Sequence, residues 1–363
     1  MNKENISNKI KLAVSSAPHI QDKKKSTKKT MLLVCIALLF PTVGGIYYFG
    51  IYSLFVVIIS VITAITTEYT AKLLRKQEFK MDGSAIVTGM LLALVLPPRI
   101  PLWIVVIGSA FAIAIIKEAF GGLGHNIFNP ALAARAFLAV TFAGMMTRWI
   151  APITSIVSMD SVTTATPLSE SFSYSGNSSE LYLDLFLGNT GGCIGETSVL
   201  LILIGGILLL VFGVVKWRIP AVYIGKVFLL TWIIPGQDPL FHVLAGGLFL
   251  GAFFMATDYV TAPMTAKGQY IFAFGAGVFV VMIRLYGSMP EGVAFSILLM
   301  NAFTPLIDRY VRPKPYGYIP PEKKGFFKST KKKEKKRNNE KIKKQQKTNS
   351  KNKLDNEGKN EKE

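Results

Sequence analysis

The sequence predicts an all-α polytopic membrane protein of about ten transmembrane helices, arranged as two inverted five-helix repeats with broken helices. Three observations carry this. Half of the 363 residues are hydrophobic and only 17% are charged, at a mean hydropathy of +0.39; soluble domains rarely reach that balance. The apolar residues gather in long runs, as bilayer-crossing helices require. A polar segment of about fifty residues divides the runs into two sets of five, and odd-numbered halves joined in series lie in opposite orientations across a membrane.

Residues 1–30 form a basic segment with eight Lys against one Asp and one Glu. The first repeat, 31–147, holds runs at 31–49, 51–70, 84–98, 101–119 and 130–147. The connecting loop is 148–197. The second repeat, 198–306, holds runs at 198–215, 219–234, 239–256, 268–286 and 290–306. Two of these, 84–98 and 219–234, are short, which is the mark of broken or re-entrant helices. "TGMLLALVLPP" and "AGGLFLGAFFMATDYVTAP", from the two halves, both carry Gly and end in Pro. Residues 307–363 form a Lys-rich tail with too little apolar surface to fold.

Basic residues flank the cytoplasmic ends of membrane helices. "QDKKKSTKK", "KLLRKQEFK", "KWR" and "RPKPYGYIPPEKKGFFKSTKKK" all fall on one side when ten spans are counted. Both termini are therefore expected in the cytoplasm of a cell-membrane protein, and 148–197 outside. Most of the net charge of +19 sits in residues 1–30 (+6) and 321–363 (+10), so the body is no nucleic-acid binder. The first apolar run is too long, and too closely followed by others, for a secretory signal peptide. Cys35 and Cys193 have no partner at ligand or disulfide spacing, so no metal site is expected.

Ionisable groups within spans are expensive and usually functional. Glu118, Arg135, Lys226 and Arg284 stand out, with His242 and Asp258 bracketing the eighth run and Glu291 opening the tenth. Lys117 and Arg284 lie close enough to run ends to snorkel. Arg135 reads equally as a structural ion pair or a pathway group. In "GGLGHNIFNPALAAR" three glycines permit a tight turn and Pro130 opens a helix. Asn126, Asn129 and exposed N–H groups there suit a phosphate or a flavin ring, or simply a loop-to-helix corner. No Gly-Lys-Ser/Thr follows, so it is no P-loop, and His125 lacks a second ligand. Around "FFMATDYVTAPMTAKG", Thr257, Asp258, Thr261 and Thr265 offer oxygens for a small hard cation, or a capped helix end.

In "DSVTTATPL", Thr166 precedes Pro167, which pushes it toward extended backbone, and Ala165 leaves room beside it. On a loop far longer than an ordinary connector, a hydroxyl displayed this way suits a modifying enzyme, or belongs to a plain Ser/Thr-rich polar loop with no such role.

"GGLGHNIFNPALAARAFL", "DSVTTATPL" and the long stretch from "FFMATDYVTAP" to "DRYVRPKPYG" resemble the D-subunit family of the Rnf complex, the ion-translocating ferredoxin:NAD oxidoreductase. They resemble more distantly the B subunit of the sodium-translocating NADH:quinone reductase. The likeness covers roughly residues 30–318. It implies an electron-carrying, ion-path subunit of a translocase rather than a stand-alone catalyst, with no catalytic residue of its own. The family's flavin motif, approximately Ser/Thr-Gly-Ala-Thr, matches Thr163-Thr164-Ala165-Thr166, with Thr164 in place of Gly. The resemblance implies FMN joined through its phosphate to Thr166, a noncovalent riboflavin, and a flavin transferase for maturation. It also implies other membrane and peripheral subunits as partners and sodium or protons as the exported ion. The rival reading is a solute channel or secondary transporter built like urea and ammonium channels, without a flavin.

Overall fold

The computed structural model describes residues 27–77, 82–152, 163–164, 167–168, 177–287 and 292–311. The chain is mostly helical. In order come α1 (Thr27–Phe49), α2 (Ile51–Leu74), α3 (Ser84–Leu94), α4 (Leu102–Phe111, continued by a π-helical turn Ala112–Glu118), α5 (Pro130–Thr141) and α6 (Ala143–Met146). Two short strands follow, β1 (Trp149–Ile150) and β2 (Thr163–Thr164). Then come α7 (Ser178–Leu187), α8 (Val199–Val211), α9 (Arg218–Ile233), α10 (Pro239–Leu244), α11 (Leu248–Leu250, continued by a π-helical turn Gly251–Met255), α12 (Ala266–Tyr286) and α13 (Val293–Tyr310).

Every apolar run read from the sequence falls on a helix. Among the described residues α1, α2 and α12 are long and apolar enough to cross a membrane, and α3, α5 and α8 are shorter apolar helices. Their outward faces keep large apolar side chains, such as Val43 at 62% and Ile62 at 55% exposure, which suits lipid and not water. The buried core gathers Leu92, Leu94, Ile104, Leu132, Tyr223 and Phe272 from both halves.

The helix starts are written locally. Asn129 caps α5 by accepting from the N–H groups of Ala131 and Leu132, with Pro130 first in the helix. Asp238 and Pro239 repeat that arrangement at α10, while Ser198 and Thr265 cap α8 and α12. A cap oxygen takes up N–H groups that have no partner within the helix, and Pro gives up none that matters there.

Several runs are less continuous than expected. The run 84–98 is helical only to Leu94, because the 190–197 segment inserts against its end: Ile194 and Gly195 N–H groups donate to the Leu96 and Leu94 carbonyls at 3.1 and 2.8 Å. Gly195 is obligatory there, since a Cβ would meet Leu94 Cβ at 2.6 Å. The run 239–256 breaks at Ala245–Gly247, where Gly246 adopts φ +69°. The run 130–147 breaks at Phe142. Non-helical backbone in an apolar setting persists only where its polar groups find partners. α7 lies within the polar loop, where the sequence pattern predicts no helix. Tyr48 Oη donates to its Leu187 carbonyl at 2.7 Å, and Tyr182 donates to Asp238.

Candidate functional site

Thr166 lies outside the described residues, as does Glu291. The chain on either side of Thr166 is held. β2 pairs antiparallel with β1, Thr164 opposite Trp149 and Thr163 opposite Ile150. Pro167 is buried. Pro167 and Leu168 border a small cleft with Gly191, Gly192, Glu196 and Gly246. Leu168 sits over the α10–α11 break: its Cδ1 would be 2.8 Å from a Cβ at Gly246, and Arg284 Nη2 3.4 Å from the same point.

Two arginines support this cleft. Arg135, from α5, reaches the loop before α8, where it donates to Glu196 Oε1 at 2.8 Å and to Cys193 Sγ at 3.4 Å. Both ends of the pair are buried. The ion-pair reading of Arg135 therefore holds, and its partner lies on the connecting loop. Burial, joined by the charge of Glu196, pushes the Cys193 thiol well above its ordinary range. Arg284 folds onto the break, donating to the His242 carbonyl and, at 3.0 Å, to that of Ala245. It does not snorkel.

A second cavity, of about 780 Å³ with its mouth, opens at the corner between α4 and α5. Its walls include Leu91, Phe253 and Val34, and polar atoms come from Thr88, Asn126 and Asp258. Gly121, Gly122 and Gly124 take φ of +121°, +91° and +94°, so only glycine makes this corner without strain. Asn129 Nδ2 donates to the Met255 carbonyl at 3.3 Å, tying the corner to the π-helical turn after α11. The lining, mostly apolar with a few polar groups, is that of a small-molecule site.

Beside this cavity lies a buried ion network. Lys117 donates to Glu68 at 3.1 Å and to Ser84 Oγ at 2.6 Å, and Lys72 reaches the same Glu68 oxygen at 2.6 Å. Arg75 meets Glu118 Oε2 at 3.2 Å, while Glu118 Oε1 is buried without a hydrogen-bond partner. Lys117 is thus a buried ion-pair member and not a snorkelling end group. Sequence reasoning misses Glu68 because a carboxylate near the end of an apolar run reads as an interfacial charge; Lys72 four residues on is the available signal.

The Thr257–Thr265 turn spends most of its oxygens locally. Asp258 accepts from Val260 N and Thr261 Oγ1 at 3.4 and 3.2 Å, Thr257 donates to the Phe253 carbonyl at 2.6 Å, and Thr265 caps α12. Burial raises the Asp258 carboxyl against the pull of those two hydrogen bonds. Among the described residues no three His, Cys, Asp or Glu side chains gather as a metal site.

The model of the NQR2, RnfD, RnfE family matches residues 13–317. The chain is 50% identical over 314 residues to the D subunit of the Na(+)-translocating ferredoxin:NAD(+) oxidoreductase complex of Acetobacterium woodii, covering 85% of this chain and 96% of that one. It is 48% identical over 319 residues to the D subunit of the proton-translocating ferredoxin:NAD(+) oxidoreductase complex of Clostridium ljungdahlii, covering 84% and 96%. With the D subunit of the ion-translocating oxidoreductase complex of Stutzerimonas stutzeri it shares 40% over 329 residues, covering 81% and 93%.

Proposed function

Since the chain belongs to the NQR2, RnfD, RnfE family, we propose that it is the D-type membrane subunit of an ion-translocating ferredoxin:NAD(+) oxidoreductase complex. In this reading it carries FMN esterified through its phosphate to Thr166. The observation that carries the assignment is the 50% identity to the Acetobacterium woodii relative across 96% of that protein's length. The subunit is multi-pass in the cell membrane, with both termini cytoplasmic and two inverted five-helix repeats enclosing the sites.

The residues divide the work. β1–β2 pairing and buried Pro167 fix the chain on both sides of Thr166, the residue that a flavin transferase would modify. Arg135 and Glu196 lock the loop that forms the cleft floor, and Arg284 holds the α10–α11 break open beneath Leu168. The cavity at the Asn129 corner would hold the noncovalent riboflavin, with Leu91 and Phe253 among its apolar walls and Asn126 and Asp258 among its polar ones. Flavins supply one- and two-electron redox chemistry; the protein supplies position, polarity and exclusion of water. Sodium and protons are both served by relatives at nearly equal identity, one named for each, so overall likeness does not choose between them.

The test is in-gel flavin fluorescence after co-expression with a flavin transferase. The wild-type chain should glow on a denaturing gel and weigh more than its amino acids by one FMN less the water lost in forming the ester. Thr166→Ala should be dark and Thr164→Ala should glow as wild type. A dark wild-type band at full yield would remove the covalent flavin from the proposal.

A further inference from the structure

Lys226 lies in the middle of α9, against the middle of α12. Its Cβ and Cγ would be 2.8 and 3.0 Å from a Cβ at Gly277, so that glycine is what lets the stem lie down. Its Nζ stands 4.2 Å from the centroid of the Phe274 ring. α12 spans Ala266–Tyr286 and is long enough to cross a bilayer. Phe274 is therefore about 12 Å along the axis from one end and about 18 Å from the other, at 1.5 Å per residue. A four-carbon stem covers roughly 6 Å. The ammonium cannot reach either headgroup layer.

Nor does any described residue neutralise it. Neither α9 nor α12 contains an acidic residue, and among the described residues no ion pair includes Lys226. A ring face alone compensates only part of a charge held in hydrocarbon. The surroundings are open: Leu229 and Phe274 are 43% and 51% exposed. Gly225, adjacent to Lys226, has nothing within 4 Å of where its Cβ would stand. A glycine inside a helix weakens it, and here no contact within the chain asks for one. Small residues beside polar ones are what membrane helices use to approach each other closely.

We propose that the α9–α12 face around Lys226 is the docking surface for a membrane-spanning helix of another subunit, which presents an Asp or Glu carboxylate to the Lys226 ammonium at mid-bilayer depth. Gly225 lets the two backbones close, and Phe274 holds the ammonium in place until the carboxylate arrives. The inference rests on the reading of this chain as one subunit of a larger membrane complex, and not on its flavin.

The experiment places benzoylphenylalanine at Leu229, one turn from an intact Lys226, in the whole complex purified from its host. Irradiation should yield a covalent adduct with another membrane subunit, and the peptide joined should lie in a helix with an Asp or Glu within one turn. Lys226→Met should cut recovery of that subunit with the tagged chain at least tenfold, and Lys226→Arg should keep it. Adducts with lipid only, with a second copy of this chain, or with a helix free of carboxylates would overturn the inference. So would full recovery of the complex with Lys226→Met. If the wild-type chain purifies with no other membrane subunit, the subunit reading itself has failed; the docking face alone fails when the complex is intact and the probe finds lipid.

Discussion

Residues 27–147 and residues 199–311 both place cations within apolar helices, and they compensate them differently. In the first half Lys117 and Lys72 share Glu68, Arg75 meets Glu118, and Arg135 reaches out to Glu196. In the second half Lys226 rests on a ring face and Arg284 on two backbone carbonyls. Among the described residues neither has a carboxylate partner. The buried cations of the first half are each closed by a carboxylate, on their own helices or, for Arg135, on the connecting loop; Lys226 and Arg284 of the second half meet none among the described residues. A self-contained pair fixes a fold. An uncompensated cation points to something that binds.

The sharpest way to break this contrast is Arg135→Met. Glu196 would be left buried and unpaired, which typically costs about 3–5 kcal/mol. Thermal unfolding of the detergent-purified chain should show a large fall in midpoint, and Arg135→Met with Glu196→Gln should recover much of it, because the stranded charge is gone. A loss below about 1 kcal/mol in the single variant would place Arg135 among surface-like pairs and erase the distinction between the halves.

Much of the scaffold is readable from local signals. Each apolar run falls on helix, whole or broken, and Asn129-Pro130 and Asp238-Pro239 announce α5 and α10 by cap chemistry alone. The breaks are harder, because a helix stops where another segment satisfies its carbonyls. Nothing within residues 84–98 says that Ile194 and Gly195 will bond to Leu94 and Leu96. The same holds for Arg135, whose ionisable character within a span is visible but whose partner lies 61 residues away on a loop. α7 escapes a reading by pattern, since ten residues of mixed polarity in a polar loop resemble their surroundings. Thr166 is the reverse case: a motif suggests its flavin role, and it falls outside the described residues.

A smaller effect sharpens the other side of the contrast. Lys226→Met should leave the isolated chain within about 1 kcal/mol of wild type, since a cation–π contact of about 0.5–1 kcal/mol is lost while a charge leaves an apolar setting. Thermal unfolding in detergent checks this. A fall as large as that of Arg135→Met would mean that Lys226 is compensated within this chain after all, and that the second half is as closed as the first.

The smallest effect concerns the rim of the paired half, where Asp82 precedes α3. Its Oδ1 accepts from Ser84 N at 2.9 Å and Ser84 Oγ at 2.6 Å. Partial burial raises this carboxyl, but the two hydrogen bonds, with Lys117 and Lys72 nearby, outweigh it and hold the group below its ordinary value of 3.8. A carboxyl depressed on folding contributes stability that is fully present above its unfolded pKa and is lost as pH falls through the folded one. The Asp82 contribution should therefore be constant from neutral pH down to about 4 and disappear only below it. Asp82→Asn keeps an acceptor for Ser84 and discards the charge, so its unfolding midpoint should lie slightly below wild type at pH 6 and converge on it as the acid limb is entered. Curves that stay parallel through that window would show that the charge of Asp82 contributes nothing, and that the ion network of the first half ends at Lys117 and Ser84.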